Sequence, residues 1–100
     1  MNITCNVDGE KAVIEPVGKL TVQTSPDLNA VVEQLPSNVH DIDIDLSGVD
    51  YVASAGLRVL VATDKLAVKR SGTMRLLHPC EDVMEVFEMT GLSEVFTIER

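Results

Sequence analysis

An α/β fold, a small mixed and mostly parallel β-sheet with helices packed mainly on one face, is the class this sequence predicts, and three observations carry it. Ile42, Ile44 and Leu46 alternate with Asp41, Asp43 and Asp45, the two-residue period of a strand buried on one face. Beyond Ser54 the period becomes helical, with Leu57, Leu60, Val61 and Val68 on the stripe expected to face the core. Strand and helix patterns follow one another in the order β, β, α, β, α, β, α, β. Right-handed crossovers fold such strand, helix, strand units into a parallel sheet.

Taken in order, Ile3, Cys5 and Val7 alternate with polar neighbours, Asp8 and Gly9 signal a turn, and residues 12–17 resume an extended apolar pattern. That is a hairpin, and it makes the sheet mixed. Residues 18–24 are a connection to a helix with Ser25 as the expected N-cap and Pro26 at the first helical position. Leu28, Val31, Val32 and Leu35 fall at i, i+3, i+4 and i+7, and the helix stops before Pro36. The aspartate-alternating strand occupies residues 41–46, and its pattern leaves the second face of the sheet wetter. After a turn, a helix starts at Ser54, a preferred N-cap type, and runs to about residue 70, where Ser71 and Gly72 break it.

Residues 73–78 read as a strand closed by Pro79. A short helix follows, with Val83, Val86 and Phe87 inward and Glu81 and Asp82 in the first turn, where the helix dipole favours acids. Gly91 is its C-terminal stop, and residues 95–98 are the last short strand.

The chain has the length of one domain with one core, residues 1–100. Only three residues are aromatic, so that core is aliphatic. Sixteen acidic against eight basic residues give a net charge of -8, which argues against nucleic acid, since that binding rests on Lys and Arg neutralising phosphates. A partner with a basic contact surface is the more natural expectation. The opening MNITCNVDGE carries no signal-peptide pattern, and no apolar stretch approaches membrane-spanning length. A cytoplasmic location without membrane insertion is therefore expected, with Cys5 and Cys80 reduced.

The chemistry gathers at Ala53, Ser54, Ala55 and Gly56, a nearly bare loop that leaves a hydroxyl at a helix N-terminus. Ser54 is either a plain N-cap accepting a backbone hydrogen bond or a site of modification. A phosphoserine adds roughly -1.5 to -2 charge and several strong acceptor oxygens, which a helix N-terminus can receive without unfolding. Nucleophilic catalysis is a poor match, because Val52 and Gly56 do not make a nucleophile elbow and only His40 and His78 could serve as base. No catalytic residue, cofactor or metal ligand is assigned; His78 and Cys80 alone do not make a tetrahedral site. Along the same helix, Val59 and Leu66 lie off the main stripe, as either a partner surface or extra burial beneath a neighbouring helix. Arg58, Lys65 and Lys69 form a further stripe, and Asp64 falls among the apolar positions without an evident reason.

With these elements placed, the chain resembles the STAS family, specifically its small single-domain anti-sigma factor antagonists. GKLTVQTSPDL is similar to the stretch leading into that family's first helix, DLSGVDYVASAGLRVL to its signature loop and helix, and KRSGTMRLLHPCEDVMEVFEMTGLSEVFTI to the remainder. The resemblance implies a STAS-like sheet and partner switching. In that scheme the unphosphorylated antagonist binds an anti-sigma factor that is also a serine kinase and frees a sigma factor, and phosphorylation releases it. The phosphoacceptor of the motif matches Ser54, and a serine phosphatase is a further implied partner. The implied contact surface comprises Asp50, Tyr51, Val52, Ala53, Ser54, Ala55, Gly56 and Arg58. Ala53 and Ala55 stand where the family often has an acid before the acceptor and a hydroxyl after it. Alanine after the serine also occurs in the family, but the missing acid favours a second member type, the phosphorylation-independent subunit of a lipid-transport ATPase.

Overall fold

The computed structural model describes residues 1–100. A hairpin of β1 (Asn2–Asp8) and β2 (Lys11–Leu20) is followed by α1 (Ser25–Glu33), β3 (Asp41–Asp45), β4 (Val49–Val52), α2 (Ser54–Lys69), β5 (Met74–Leu77), α3 (Glu81–Met89), a 3-10 turn (Leu92–Glu94) and β6 (Thr97–Glu99). The sheet order is β1-β2-β3-β5-β6, with β4 pairing separately with the end of β2. Only the β1–β2 pair is antiparallel.

From β2 to β3 to β5 to β6 the chain moves one strand at a time in a single direction, and right-handed crossovers then place all three helices on one face. Beneath them Ala12 and Ile14, Ile42 and Ile44, and Met74 and Leu76 are fully buried and belong to one cluster with Leu28, Leu60 and Phe87. Phe87 of α3 meets Phe96 edge-on, centroids 5.5 Å apart. Such a contact contributes about 1 kcal/mol beyond its area, and it ties α3 to the chain entering β6. No helix is long and apolar enough to cross a membrane.

Several expectations are corrected in detail. The first helix is capped at Thr24, and Ser25 lies inside it, buried, donating its hydroxyl to the Thr21 carbonyl at 2.5 Å. Thr24 Oγ1 accepts from the Thr21 amide instead of a helix amide, so the preceding turn took the side chain the cap would have used. β2 extends to Leu20 and residues 49–52 form a strand, both read from sequence as connection. Val68 is 65% exposed, because α2 turns Gly56, Leu60, Thr63 and Ala67 inward. Small side chains let that helix sit close to the sheet, and its larger aliphatics fall to the flanks and the outside. Val59 and Leu66 pack partly buried against the core, the burial alternative of the two. The last strand starts at Thr97, leaving Val95 exposed.

The second sheet face is polar but not uniformly wet. Asp43 is 3% exposed, because Arg75 and Lys11 on the neighbouring strands reach over it. Arg75 donates to both carboxylate oxygens at 2.9 and 2.7 Å, and Lys11 Nζ lies 2.9 Å away. Burial alone would push the Asp43 carboxyl up, but these donors hold it below its ordinary value. Just before β3, His40 Nε2 lies 2.6 Å from Glu10 in the hairpin turn and Nδ1 3.3 Å from Asp41. The Glu10 hydrogen bond, then Asp41, raises its pKa.

The two shifts act in separate pH ranges, one acidic and one near neutral. The lowered Asp43 pKa gives stability that is present above an unfolded value of about 3.9 and lost as pH falls through the folded one. The raised His40 pKa gives stability that is complete below an unfolded value of about 6.5 and lost as pH rises through the folded one. Thermal unfolding followed from pH 6 to 9 should therefore lose a fraction of its midpoint in wild type and not in His40→Gln. Parallel curves for the two proteins would refute the His40 assignment.

Candidate functional site

β4 carries the chain to the start of α2. Its parallel pairing of Tyr51 with Lys19 and Val52 with Leu20 fixes where the helix begins, and the Ala53 amide donates to the Leu20 carbonyl at 2.8 Å. Ala53, with φ -84° and ψ 173°, is the N-cap, and the Leu57 amide donates to its carbonyl at 3.0 Å. Ser54 is thus the first helical residue and not the cap expected from its type. Its hydroxyl is exposed and makes no intramolecular hydrogen bond, so the capping explanation for this serine is removed.

No side chain caps α2 and no acid occupies its first turn. The leading amides of an uncapped helix carry partial positive charge with no partner inside the helix. An anion attached at Ser54 would meet those amides without disturbing the hydrogen bonds that hold the turn.

The predicted contact residues divide by exposure. Asp50, Tyr51, Ser54 and Arg58 face solvent, while Ala53 and Ala55 are half-buried. Val52 is 3% exposed and Gly56 is buried, so these two form the floor of the site and cannot present a contact surface. A Cβ on Gly56 would come within 3.0 Å of both Leu20 Cβ and Val52 Cγ1. Glycine there lets the first turn of α2 settle onto the ends of β2 and β4.

Sequence reasoning missed two contributors. Lys19 projects beside Tyr51, with Nζ 5.9 Å from the ring centroid and 3.2 Å from Asp50 Oδ2. Both charges are largely exposed, so this pair orients side chains and adds at most about 1 kcal/mol. The second is the apolar part of the outer face of α2: Leu57 and Val61, expected to face the core, are only half-buried and line a shallow groove of about 300 Å³ with Arg58, Ala62 and Lys65. Neither Arg58 nor Lys65 is ion-paired. At 100° per residue Ser54, Leu57, Arg58, Val61 and Lys65 share one side of the helix, opposite Gly56, Leu60 and Ala67. The signal in the sequence was the run of small residues Gly56, Thr63 and Ala67, which marks the closely packed side. Asp64 is half-buried at the edge of this face, and desolvation raises its pKa.

Residues 3–98 match the family model described as Mlab, STAS domain. The anti-sigma-B factor antagonist of Bacillus subtilis is 31% identical over 98% of this chain and 92% of its own length. Among solved structures, a Thermotoga maritima protein described provisionally as an anti-sigma factor antagonist superposes with a TM-score of 0.89 at 22% identity, over 98% of this chain and 86% of that one. The anti-sigma factor antagonist SpoIIAA in its unphosphorylated form gives 0.81 at 20% identity, over 99% and 89%. The Bacillus cell fate determinant SpoIIAA in its phosphorylated form gives 0.76 at 19% identity, over 99% and 92%. At these identities the structural likeness establishes the fold: a mixed, mostly parallel six-stranded sheet with three helices.

Proposed function

The chain belongs to the STAS domain family, and from that premise we propose that it is an anti-sigma factor antagonist whose binding is switched by phosphorylation of Ser54. The observation that carries this reading is the exposed, unbonded Ser54 hydroxyl on the first turn of an uncapped helix, beside an apolar and basic helix face. The B. subtilis relative's role and the two phosphorylation states of SpoIIAA support it.

In this scheme the protein is a ligand and substrate, not an enzyme. Unmodified, it lays Tyr51, Ser54, Leu57, Arg58 and Val61 against a serine-kinase anti-sigma factor and displaces a sigma factor. The kinase moves the terminal phosphoryl group of ATP to Ser54 Oγ, and the α2 amides receive the new oxygens. Bulk and charge then occupy the contact surface itself, so no rearrangement of the fold is needed. A serine phosphatase restores the binding form.

Affinity capture from the native cytoplasm with immobilised wild type and Ser54→Asp tests the scheme. Wild type alone should retain an ATP-binding anti-sigma kinase, and equal retention by both forms would refute the switch. The basic α2 face calls for an acidic contact on the partner, against the basic one expected from net charge, so Arg58→Glu should weaken the kinase complex about tenfold and reduce its salt dependence, read by calorimetry at two ionic strengths. An unchanged affinity would place the contact elsewhere.

Two observations favour a second reading. The matching family model is described as Mlab, and alanines flank Ser54, as would suit a constitutive subunit of a lipid-transport ATPase. Capture of a transporter ATPase by both forms would support that reading over the switch.

A further inference from the structure

The two edges of the sheet are built differently. β6 is three residues long, and its Glu99 is ion-paired to Arg75, so that edge is short and charged. β1 is seven residues long, exposed along nearly its whole length, and pairs with β2 in unbroken register from Asn2↔Val17 to Asp8↔Lys11. It holds no lysine, proline or bulge, the devices that normally keep a free edge from pairing, and its one charged side chain, Asp8, is at the end.

The turn determines which backbone groups are free. Gly9, at φ 62°, and Glu10 form a two-residue loop, so Asp8 and Lys11 are the closing hydrogen-bonded pair. By alternation Asn2, Thr4, Asn6 and Asp8 turn their backbone groups to β2. Ile3, Cys5 and Val7 turn theirs outward. None of those three has a backbone bond to a loop or neighbouring element.

The sequence of β1 is also chemically palindromic about Cys5. Thr4 is matched by Asn6, Ile3 by Val7 and Asn2 by Asp8, polar with polar and apolar with apolar. A two-fold axis through Cys5 would place each residue opposite its match in a second chain, and the outward groups of Ile3, Cys5 and Val7 would form three hydrogen-bonded pairs. Self-complementarity of one patch is the requirement of an isologous contact. Cys5 is exposed and Val7 is 46% exposed on the helix side of β1, so the same pairing would cover apolar surface that the helices leave bare.

We infer that β1 is an interface between two copies of this chain, paired antiparallel about Cys5 into one continuous sheet. β1 packs against β2 and α1, whereas the Ser54 surface is carried by β4 and α2, so the dimer is bivalent toward the partner that site recognises. The inference does not depend on what that partner is.

Sedimentation of the full chain over a concentration series should give a particle of about twice 10.9 kDa. Amide exchange in that particle should protect Ile3, Cys5 and Val7, while dilution to monomer should release these three and leave Thr4 and Asn6 protected. Cys5→Pro removes an outward N–H without touching the β2 ladder and should weaken dimerisation at least tenfold. Cys5→Lys, which sets two cations against each other across the axis, should do the same if the proline variant fails to fold. A monomer at every concentration, a dimer with those three amides exchanging freely, or a dimer indifferent to Cys5→Lys would each overturn the inference.

Discussion

Ser54→Asp is expected to lower affinity for the anti-sigma partner by more than a hundredfold while leaving the domain as stable as wild type or slightly more so. The two effects have different origins. On the complex, a carboxylate replaces a hydroxyl inside the contact, and losing about 3 kcal/mol there amounts to more than two decades in Kd. On the free domain, an acid enters the first turn of a helix that has none, where the dipole contributes roughly 0.3–1 kcal/mol in its favour.

Ser54→Ala separates the remaining possibilities. Because the hydroxyl makes no hydrogen bond in the fold, this change should alter unfolding free energy by less than about 0.5 kcal/mol. Loss of a true N-cap would cost about 1 kcal/mol or more. The alanine variant should bind the partner and resist release when ATP is added. Calorimetry and denaturant melts on the three proteins read all of this, and a Ser54→Ala melt shifted by a full cap's worth would return Ser54 to a structural role.

Gly72→Ala is expected to destabilise the domain by about 3 kcal/mol, near the upper end for a single methyl forced into packed surroundings. A Cβ at this position would lie 1.8 Å from the His40 carbonyl oxygen and 2.3 Å from its carbon. These are backbone atoms held by neighbours: His40 donates its amide to the Glu10 carbonyl at 2.9 Å, and the Gly72 amide donates to Ala67 at 2.7 Å. Neither side can give way without breaking the entry to β3 or the end of α2. For a domain this size that corresponds to a fall in Tm on the order of 12 °C or more. Gly56→Ala meets side-chain atoms at 3.0 Å and should cost less stability while shifting the first turn of α2. A Tm for Gly72→Ala within 2 °C of wild type would refute the close-approach argument.

The helix break at residues 71–72 illustrates how far sequence reading reaches. Both residues are turn formers, and the helix does end there, but the glycine is not the one that turns left-handed. Ser71 takes the left-handed conformation, φ 63°, and Gly72 is needed because the chain passes against His40. Propensity located the turn, and a contact between residues 40 and 72 decided which residue had to be glycine.

The site follows the same division. A change from two-residue to helical period is a local property, so the start of α2 and the position of Ser54 could be read from the chain alone, as could the aliphatic core and, β4 apart, the succession of strands and helices. That Ser54 is a free first-turn hydroxyl and not a cap depends on β4, four residues whose outer pair is buried and inner pair exposed, a pattern that does not register as a strand. The same holds for Asp43, which alternation places in water and which Arg75 and Lys11 cover from adjacent strands. Sequence periodicity reports which way a side chain points relative to its own backbone. Only the packed sheet decides what it meets there, because burial, pairing and free surface belong to neighbours that are distant in the chain.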